Sequence, residues 1–311
     1  MSTEMFLSCF QKSQRILTEG AVGLRIKNEY GLSPDKHVQY AYLVYDAAGR
    51  RALRAIYGEY LQAAQDYNLP ILLFTNTRRA NRDRVAASSY RDENVMRDYA
   101  SFLREVAADY DCETYIGGYI GGKGDGYTGA DSLPTAEATS FHAWQVAEFE
   151  NAGVDCIMAS LMATLPESIG MVQAIGQSTF PYLFSFMMRE DGTLPDGTPI
   201  DHAIHTIDST TSRKPLCYMA NCVHPKAVKN ALQRNDAAAI CGRFMGIQAN
   251  AAYASPAELD KPSATITTAA DMLTAELMAL DAEFPLKIIG GCCGTDGAHL
   301  RAFAEWLSIK D

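Results

Sequence analysis

Three cysteines of the sequence follow apolar runs closely enough to share one site. Cys222 follows the run Leu216–Asn221 within MANCVHP, and Cys292 and Cys293 follow the run Leu286–Gly290 within IIGGCCGTDG. Both runs have the length of buried strands in a parallel sheet. The carboxyl ends of such strands meet at one edge, where catalytic groups collect. We therefore expect the three thiols to converge.

The adjacent pair Cys292 and Cys293 needs a turn if both thiols are to reach one point. Neighbouring residues on a regular strand point to opposite faces, so the pair cannot bind a single ion from within a strand. Gly290, Gly291 and Gly294 surround the pair and give the backbone the freedom to turn. We therefore expect the pair to lie where the chain turns.

Three thiolates with an open fourth position predict a reactive zinc site. Structural zinc is closed by four protein ligands, whereas catalytic zinc keeps one position for water or substrate. A thiol that enters this position loses its proton to the metal, although a free thiol, with a pKa of roughly 8.5, is mostly protonated at neutral pH. Because zinc has no redox chemistry, its task would be to produce and orient a sulfur nucleophile.

Other interpretations of these residues stay open. A single cysteine at a strand end is most often a small buried hydrophobic residue, and the adjacent pair could be a redox pair. His224 or His299 is close enough in sequence to replace a cysteine or to close the fourth position. A closed site would make the protein a barrel that binds zinc or thiols without catalysis. The remaining cysteines are expected to be packing residues: Cys9, Cys112, Cys156, Cys217 and Cys241.

The apolar runs alternate with longer segments of helical periodicity, as in parallel β-α-β units. Eight strands in about 300 residues fit a (β/α)8 TIM barrel, and we expect one such domain over residues 1–311. The alternative is a doubly wound open sheet, although EGAVGLRIKNEYG is a poor version of its glycine-rich first turn. The runs are Arg15–Glu19, Pro70–Thr75, Tyr115–Gly121, Asp155–Ala159, Tyr182–Phe186, Leu216–Asn221, Phe244–Asn250 and Leu286–Gly290. The helical segments include Arg91–Asp109, Ala136–Asn151, Ala227–Arg234 and Asp271–Glu283.

The charge of the chain argues against two classes of partner. Its formal net charge is −10, whereas surfaces that bind nucleic acids or anionic membranes need a basic excess. The segment MSTEMFLSCFQKSQRIL lacks the basic region of a signal peptide, and no run has the length of a membrane span. We therefore expect a cytoplasmic protein with reduced cysteines and small-molecule partners. A homo-oligomer stays open.

The pattern N-C-x-x-P followed by G-G-C-C-G resembles the homocysteine S-methyltransferase family, a group of zinc-dependent (β/α)8 barrels. The two motifs begin at Asn221 and Gly290. The similarity runs along nearly the whole chain. LTEGAVGLRI is similar to the family's first-strand motif, FTNTRRANRDR resembles its T-N-T segment after the second strand, and GGYIGGKGDGYTG is similar to the stretch after the third. ENAGVD matches the A-G-V-D before the fourth strand, and QANA is like the P-N-A after the seventh.

The resemblance implies methyl transfer to sulfur. Cys222, Cys292 and Cys293 would bind Zn²⁺, and the thiolate of homocysteine would take the fourth position and attack the methyl group of a sulfonium or quaternary ammonium donor, giving methionine. Asn221 and Asn250 match family positions that orient the ligands. Family members that use cobalamin or a folate carry further domains, so we expect a small free donor such as S-methylmethionine, S-adenosylmethionine or a betaine.

The resemblance also implies a set of substrate-binding residues, with two departures from the family pattern. It places Glu19, Thr75, Asn76 and Ser160 around homocysteine. The family has an aspartate at the position of Glu19 and a glutamate at that of Ser160 to bind the ammonium group. The second acid is missing here unless Glu167 replaces it. The alternative is therefore the same zinc–thiolate transfer onto a different thiol.

Three further features could contact a substrate. A cluster of arginines after the second run could bind an anion such as a donor carboxylate, or form a solvated helix face paired with Asp83 and Asp92, which we favour. Tyr30 and Tyr127 could contact a methylated cation, although ordinary packing is more common. The stretch Lys123–Pro134 is a candidate lid. The arginines are Arg78, Arg79, Arg82 and Arg84.

Overall fold

Eight parallel strands close into a barrel in the order in which they occur along the chain. The structure is a computed structural model that describes residues 2–253 and 267–309. Leu17 in the first strand lies opposite Ile71 in the second and Ile289 in the eighth, so the sheet is closed. The predicted TIM barrel is confirmed, and the open doubly wound sheet is excluded. The strands are β1 Ile16–Thr18, β2 Ile71–Phe74, β3 Thr114–Gly121, β4 Cys156–Met162, β5 Tyr182–Phe186, β6 Cys217–Val223, β7 Phe244–Ala249 and β8 Ile288–Gly291.

Helices connect the strands along the outside of the barrel. The four predicted helical segments are confirmed with small shifts at their ends: Val95–Ala107, Thr135–Ala152, Pro225–Leu232 and Ala270–Asp281. None of the helices in the described ranges is apolar enough over a sufficient length to cross a membrane. The other described α-helices are Ser2–Lys12, Gly23–Tyr30, Ala47–Asp66, Arg82–Ala86, Leu165–Gly176, Ile200–Thr210, Ala237–Ile240 and Gly297–Ser308.

The helix Ser2–Lys12 closes the amino-terminal end of the barrel. Phe6 is fully buried, and its ring centroid lies 5.3 Å from that of Tyr115 in β3. The Lys287 Nζ donates a hydrogen bond of 2.6 Å to the carbonyl oxygen of Phe10. The opposite mouth, at the carboxyl ends of the strands, stays open. This is the end at which (β/α)8 barrels place their active sites. The interior side chains that pack with the helix include Ile16, Leu72, Met158, Leu183, Met219 and Ile288.

The segment between β1 and β2 contains three elements that the sequence did not indicate. They are the helix Gly23–Tyr30, a 3-10 helix Tyr40–Tyr45 and the long helix Ala47–Asp66. Asp46 caps the long helix by accepting a hydrogen bond from a backbone N–H of its first turn. Gln39 has a φ of +50°, which reverses the chain just before the 3-10 helix. The segment therefore adds side chains to the barrel mouth.

The cysteines outside the predicted metal site fill the core with one exception. Cys9, Cys156 and Cys217 are buried, and Cys112 is half-buried. Cys241 is exposed, so the expectation that it is a packing residue was wrong. It follows the short helix Ala237–Ile240 on the surface, where nothing covers it in the described part of the chain.

Candidate metal centre and substrate cavity

Cys222 lies near the end of β6 in an unusual backbone conformation. Its φ is +59°, in the left-handed region that residues other than glycine rarely adopt. The pairing of β6 with β7 also changes register between Asn221 and Val223. Such an irregularity re-aims a side chain, because it breaks the alternation of the strand. Cys222 consequently lines the cavity at the barrel mouth.

Cys292 and Cys293 lie in the turn that follows β8, as the sequence predicts. The strand ends at Gly291, and Gly294 after the pair has a φ of +82°. The backbone N–H of Cys292 donates a hydrogen bond of 2.7 Å to the carbonyl of Ala249, which ties the turn to β7. The adjacent thiols can therefore reach one point.

The glycines around the pair have two different roles. Only Gly294 has a positive φ, so the turn depends on its conformational freedom. Gly290 and Gly291 are needed for close approach, because a Cβ on Gly290 would collide with the hydroxyl of Thr18 and a Cβ on Gly291 with that of Thr295. The prediction that all three supply freedom to turn was therefore correct for Gly294 alone.

The three thiols form a cluster at the mouth. Their Sγ atoms all lie within 4.8 Å of one another, and those of Cys222 and Cys292 are in direct contact. Zinc–sulfur bonds of about 2.3 Å in tetrahedral geometry place sulfur atoms about 3.8 Å apart, so small adjustments would seat an ion. Three sulfur ligands without a carboxylate fit zinc. Over residues 2–253 and 267–309, no other group of three Cys, His, Asp or Glu residues has this spacing.

Neither of the two rival histidines belongs to the cluster. His224 caps the helix Pro225–Leu232 and accepts a hydrogen bond on Nδ1 from a backbone N–H of its first turn at 3.2 Å. Both ring nitrogens of His299 have partners, because Nδ1 lies 2.8 Å from a carboxylate oxygen of Asp296 and Nε2 lies 2.8 Å from the carbonyl oxygen of Thr268. The two histidines therefore stabilise local structure instead of filling the fourth position.

Asn250 joins the two chain segments that carry the thiols. Its Nδ2 donates a hydrogen bond of 2.8 Å to the carbonyl oxygen of Cys222, and its Oδ1 accepts one of 3.2 Å from the backbone N–H of Cys293. Asn250 is buried, so water does not compete for these bonds. The side chain holds the end of β6 and the turn after β8 at a constant separation.

Asn221 joins β6 to β3, β4 and β5 across the barrel mouth. Its Nδ2 donates to the hydroxyls of Ser160 at 2.9 Å and Tyr119 at 3.0 Å. Its Oδ1 accepts hydrogen bonds from the hydroxyl of Ser185 at 2.6 Å and the backbone N–H of Leu161 at 3.1 Å. Asn221 is fully buried, and every hydrogen-bonding position of its amide is used. The residue before Cys222 is therefore rigidly placed.

A cavity of about 190 Å³ lies beside the thiol cluster at the mouth. Glu19, Thr75 and Asn76 line it together with the cysteines, whereas Ser160 does not. The Thr75 hydroxyl also lies 2.8 Å from that of Thr77. The cavity wall includes polar side chains that the sequence did not assign to the site: Gln39, Tyr40, Tyr119 and Gln248.

Glu19 carries the only carboxylate among the described residues that line this cavity. Its Oε2 accepts a hydrogen bond of 2.7 Å from the backbone N–H of Phe74. Burial raises the pKa of Glu19 to about 8, and the bond from Phe74 opposes the rise only in part. A cation bound beside Glu19 would favour its ionised form. The carboxyl group is therefore able to respond to the charge of a ligand.

Two residues expected near a ligand ammonium lie elsewhere. Ser160 is fully buried behind the cavity wall, and Leu161, with a φ of +53°, faces the cavity in its place. Glu167 is not part of the wall, because its Oε1 accepts a hydrogen bond of 2.7 Å from the backbone N–H of Lys123 and lies 3.0 Å from Nε2 of His142. Burial opposes ionisation of Glu167, but these two partners outweigh it and lower the pKa. Glu167 therefore does not supply the missing second acid.

The four arginines after β2 do not form one surface. Arg82 pairs with Asp83 at 3.2 Å in solvent, as expected for a solvated helix face. Arg84 and Arg79 both donate hydrogen bonds of 2.6 Å to backbone carbonyls. Arg78 and Arg79 both line the cavity, so the solvated-face interpretation was wrong for these two residues.

The loop Lys123–Pro134 lies beside the mouth. Tyr127 of this loop lines the cavity, whereas Tyr30 is exposed at the end of its helix and is not part of the wall. Hydrogen bonds from Arg79 and to Glu167 hold the beginning of the loop. Tyr127 is thus placed to contact a ligand, and the role of the loop as a lid stays a prediction.

A (β/α)8 barrel with three converging thiols at its mouth defines a class of barrels suited to bind a metal ion there. A family model described as homocysteine S-methyltransferase matches residues 16–307. The chain belongs to the homocysteine S-methyltransferase family, and it is accordingly a methyltransferase.

Solved structures of one relative have the same fold. The metallated form of the homocysteine methyltransferase MmuM from Escherichia coli is 18% identical, with a TM-score of 0.72 over 98% of this chain and 100% of that chain. Its oxidized form is 18% identical, with a TM-score of 0.76 over 98% of this chain and 99% of that chain. No curated protein sequence matches the chain.

Proposed function

We propose that the protein transfers a methyl group from a small sulfonium or betaine donor to the thiol of homocysteine, giving methionine. Zn²⁺ would be held by Cys222, Cys292 and Cys293. The observation that carries the proposal is the convergence of these three Sγ atoms within 4.8 Å beside a cavity at the barrel mouth. Family membership supports the type of reaction, and a metallated relative supports a metal.

The protein's contribution would be positioning. When bound, zinc would convert a thiol ligand into a thiolate at neutral pH. Asn250 and Asn221 would keep the cysteines in place through their hydrogen bonds to Cys222, Cys293 and the neighbouring strands. The cavity at the mouth would align thiolate and donor, and such alignment can supply about 7–11 kcal/mol of a two-reactant barrier. An onium donor is already activated, so no general base is needed.

Glu19 would bind the ammonium group of homocysteine. Glu19 lines the cavity, and its Oε2 accepts a hydrogen bond from the backbone of β2. Ionisation of Glu19 is suppressed by burial, and a bound ammonium would restore it because opposite charges stabilise each other. Thr75 and Asn76 line the same cavity and would contact the rest of the amino acid.

A second acceptor class is favoured by one observation. The described cavity wall has a single acid, since Ser160 is hidden behind Leu161 and Glu167 is bonded elsewhere. Methyl transfer to a thiol without an ammonium group would not need a second acid in the cavity wall. Comparing homocysteine with uncharged thiols of similar size distinguishes the two acceptors.

Methyl transfer assays on protein with and without metal test the proposal. Protein purified under reducing conditions is incubated with homocysteine and each of S-methylmethionine, S-adenosylmethionine and glycine betaine, and methionine is measured. We expect turnover with one donor, its loss after chelation and its recovery with Zn²⁺. The absence of methylated thiol with every donor in zinc-loaded protein would overturn the proposal.

A further inference from the structure

Arg78 enters the cavity on the side opposite the thiol cluster. It follows β2, and its aliphatic part passes over the end of β3 at Gly121, where a Cβ would lie only 2.6 Å from its Cγ. Its Nη1 is 3.7 Å from the position of a Cβ on Gly126, and Leu161 is 3.0 Å from that same position. The guanidinium therefore lies beside Leu161 at the carboxyl ends of β3 and β4.

No anion among the described residues neutralises the guanidinium of Arg78. It makes no hydrogen bond or ion pair with any residue in the described ranges, although it is half-buried. Other arginines that are largely buried are paired, as Arg25 is with Glu59 at 2.8 Å and Arg243 with Asp208 at 2.8 Å. A charge withdrawn from water without a partner is costly, so an unpaired guanidinium in a binding cavity indicates a ligand anion.

The surroundings of Arg78 make this wall positive. Leu161 contributes no charge, and the Ser160 hydroxyl behind it accepts a hydrogen bond from Asn221. Arg78 acts electrostatically on Tyr119, whose pKa burial raises to about 12 and the guanidinium partly lowers. Glu19, the single acid among the described residues of the wall, directly follows β1. The cavity thus carries its carboxyl group on one side and the guanidinium of Arg78 on the other.

We propose that Arg78 binds the carboxylate of a reactant in this cavity. The inference rests on the proposed function, because that carboxylate belongs either to the acceptor thiol or to the methyl donor. A planar guanidinium can hold a carboxylate by two parallel hydrogen bonds, which adds orientation as well as affinity. The site would therefore select and orient a carboxylate-bearing reactant.

Binding measurements with matched probes test the inference without requiring turnover. The thiol arm compares 3-mercaptopropionate with 2-mercaptoethanol on zinc-loaded protein. The donor arm compares glycine betaine with tetramethylammonium. Each pair shares its reactive group and differs in the carboxylate. Affinities are measured by calorimetry for the wild type, Arg78→Gln, Arg78→Lys and the control Arg82→Gln, whose guanidinium pairs with Asp83 in solvent.

We expect the Arg78→Gln variant to bind the carboxylate probe of one arm about 10- to 100-fold more weakly, as for the loss of a charged hydrogen bond. The carboxylate-free probe of that arm should change less than about 2-fold, since it makes no such bond. Arg78→Lys should keep part of the affinity, because it retains the charge without the planar fork. Arg82→Gln should match the wild type. The arm that responds identifies which reactant carries the carboxylate.

Two results would overturn the inference. One is equal binding of the carboxylate and carboxylate-free probes by the wild type in both arms. The other is an unchanged carboxylate preference in both arms for an Arg78→Gln variant whose circular dichroism matches the wild type. A failure of the proposed function would look different. In that case Arg78→Gln would still selectively weaken carboxylate binding, but the wild type would transfer no methyl group. Conversely, turnover in a variant with unaltered carboxylate preference would retain the function and reject the role of Arg78.

Discussion

The two sides of the barrel mouth are built differently. On the cysteine side, the backbone conformation brings the three thiols together, because Cys222 has a left-handed φ and Cys292 and Cys293 lie in a turn. On the side of β2 to β4, most polar groups bond to one another, and Arg78 is left facing the cavity. The difference would separate two tasks: one side would hold a metal with little freedom, and the other could change substrate through single side chains.

The largest effect is expected on the cysteine side. Cys293→Ser removes one of three thiolate ligands, so zinc should fall from about one ion per chain to nearly none, and methyl transfer should fall below detection. Elemental analysis and the methionine assay measure the two effects. Cys241→Ser is the matched control, because Cys241 is exposed and outside the cluster. Full zinc retention by Cys293→Ser would reject the three-cysteine site.

On the opposite side, an acid restored at Ser160 should damage the protein. Ser160 is fully buried and hydrogen-bonded to Asn221, so Ser160→Glu would bury a carboxylate without a partner and cost about 3–5 kcal/mol of unfolding free energy. Leu161→Glu, whose side chain faces the cavity, should lose clearly less. Denaturant unfolding of both variants measures this difference. A Ser160→Glu protein as stable as the wild type, with tighter homocysteine binding, would contradict the burial of Ser160.

Glu19, between the two sides, should make stability depend on pH. Burial raises its pKa in the folded protein from 4.5 to about 8, so the folded state retains a proton that the unfolded chain releases. The stabilisation is complete below the unfolded value and is lost as the pH rises through about 8. Relative to Glu19→Gln, metal-free wild type should lose on the order of 2–3 kcal/mol between pH 5 and pH 9, less than full burial implies because the cavity admits water.

Denaturant unfolding at the two pH values measures this loss. The control is Glu305→Gln, since Glu305 is exposed on the helix Gly297–Ser308 and should leave the wild-type dependence unchanged. If Glu19→Gln and wild type follow the same dependence, the carboxyl of Glu19 is not desolvated.

A smaller effect is expected from the hydrogen bonds that support the cluster. Asn250→Ala removes the bridge between Cys222 and Cys293, and zinc affinity should fall about 10- to 100-fold. Competition with a chromophoric chelator measures it. Asn230→Ala is the control, because Asn230 bonds to Glu190 away from the cluster. An unchanged affinity for Asn250→Ala would mean that the backbone alone holds the ligands.

The strands and the thiol cluster could be predicted because their signals are local. Each strand is a short and predominantly apolar run, as is typical when both faces are buried. The direction of side chains at the end of β4 could not be predicted. Pairing of β4 with β5 changes register between Ala159 and Met162, and Leu161 adopts a left-handed φ. The side chains of β4 then no longer alternate strictly between its two faces. As a result Leu161, and not Ser160, faces the cavity.

Arg78 and the segment before β2 show a second limit. The charge of Arg78 is evident in the sequence, but its position at the cavity depends on packing against Gly121, Gly126 and Leu161 from distant strands and loops. Gln39 and Tyr40 reach the mouth from a segment with no motif of its own. Such residues enter the site through tertiary packing, which local periodicity does not encode.

The helix that closes the amino-terminal end of the barrel has a consequence for the order of folding. The carbonyl of Phe10 in this helix accepts a hydrogen bond from Lys287, which directly precedes β8 and lies 277 residues later in the chain. During synthesis, Phe6 can contact Tyr115 of β3 early, whereas the contact of Phe10 with Lys287 has to wait until almost the whole barrel is made. Contacts of such long sequence separation form slowly, and an apolar helix face that stays exposed in the meantime can associate with other chains. The folding of this chain should therefore be more sensitive to chaperones than its finished stability suggests.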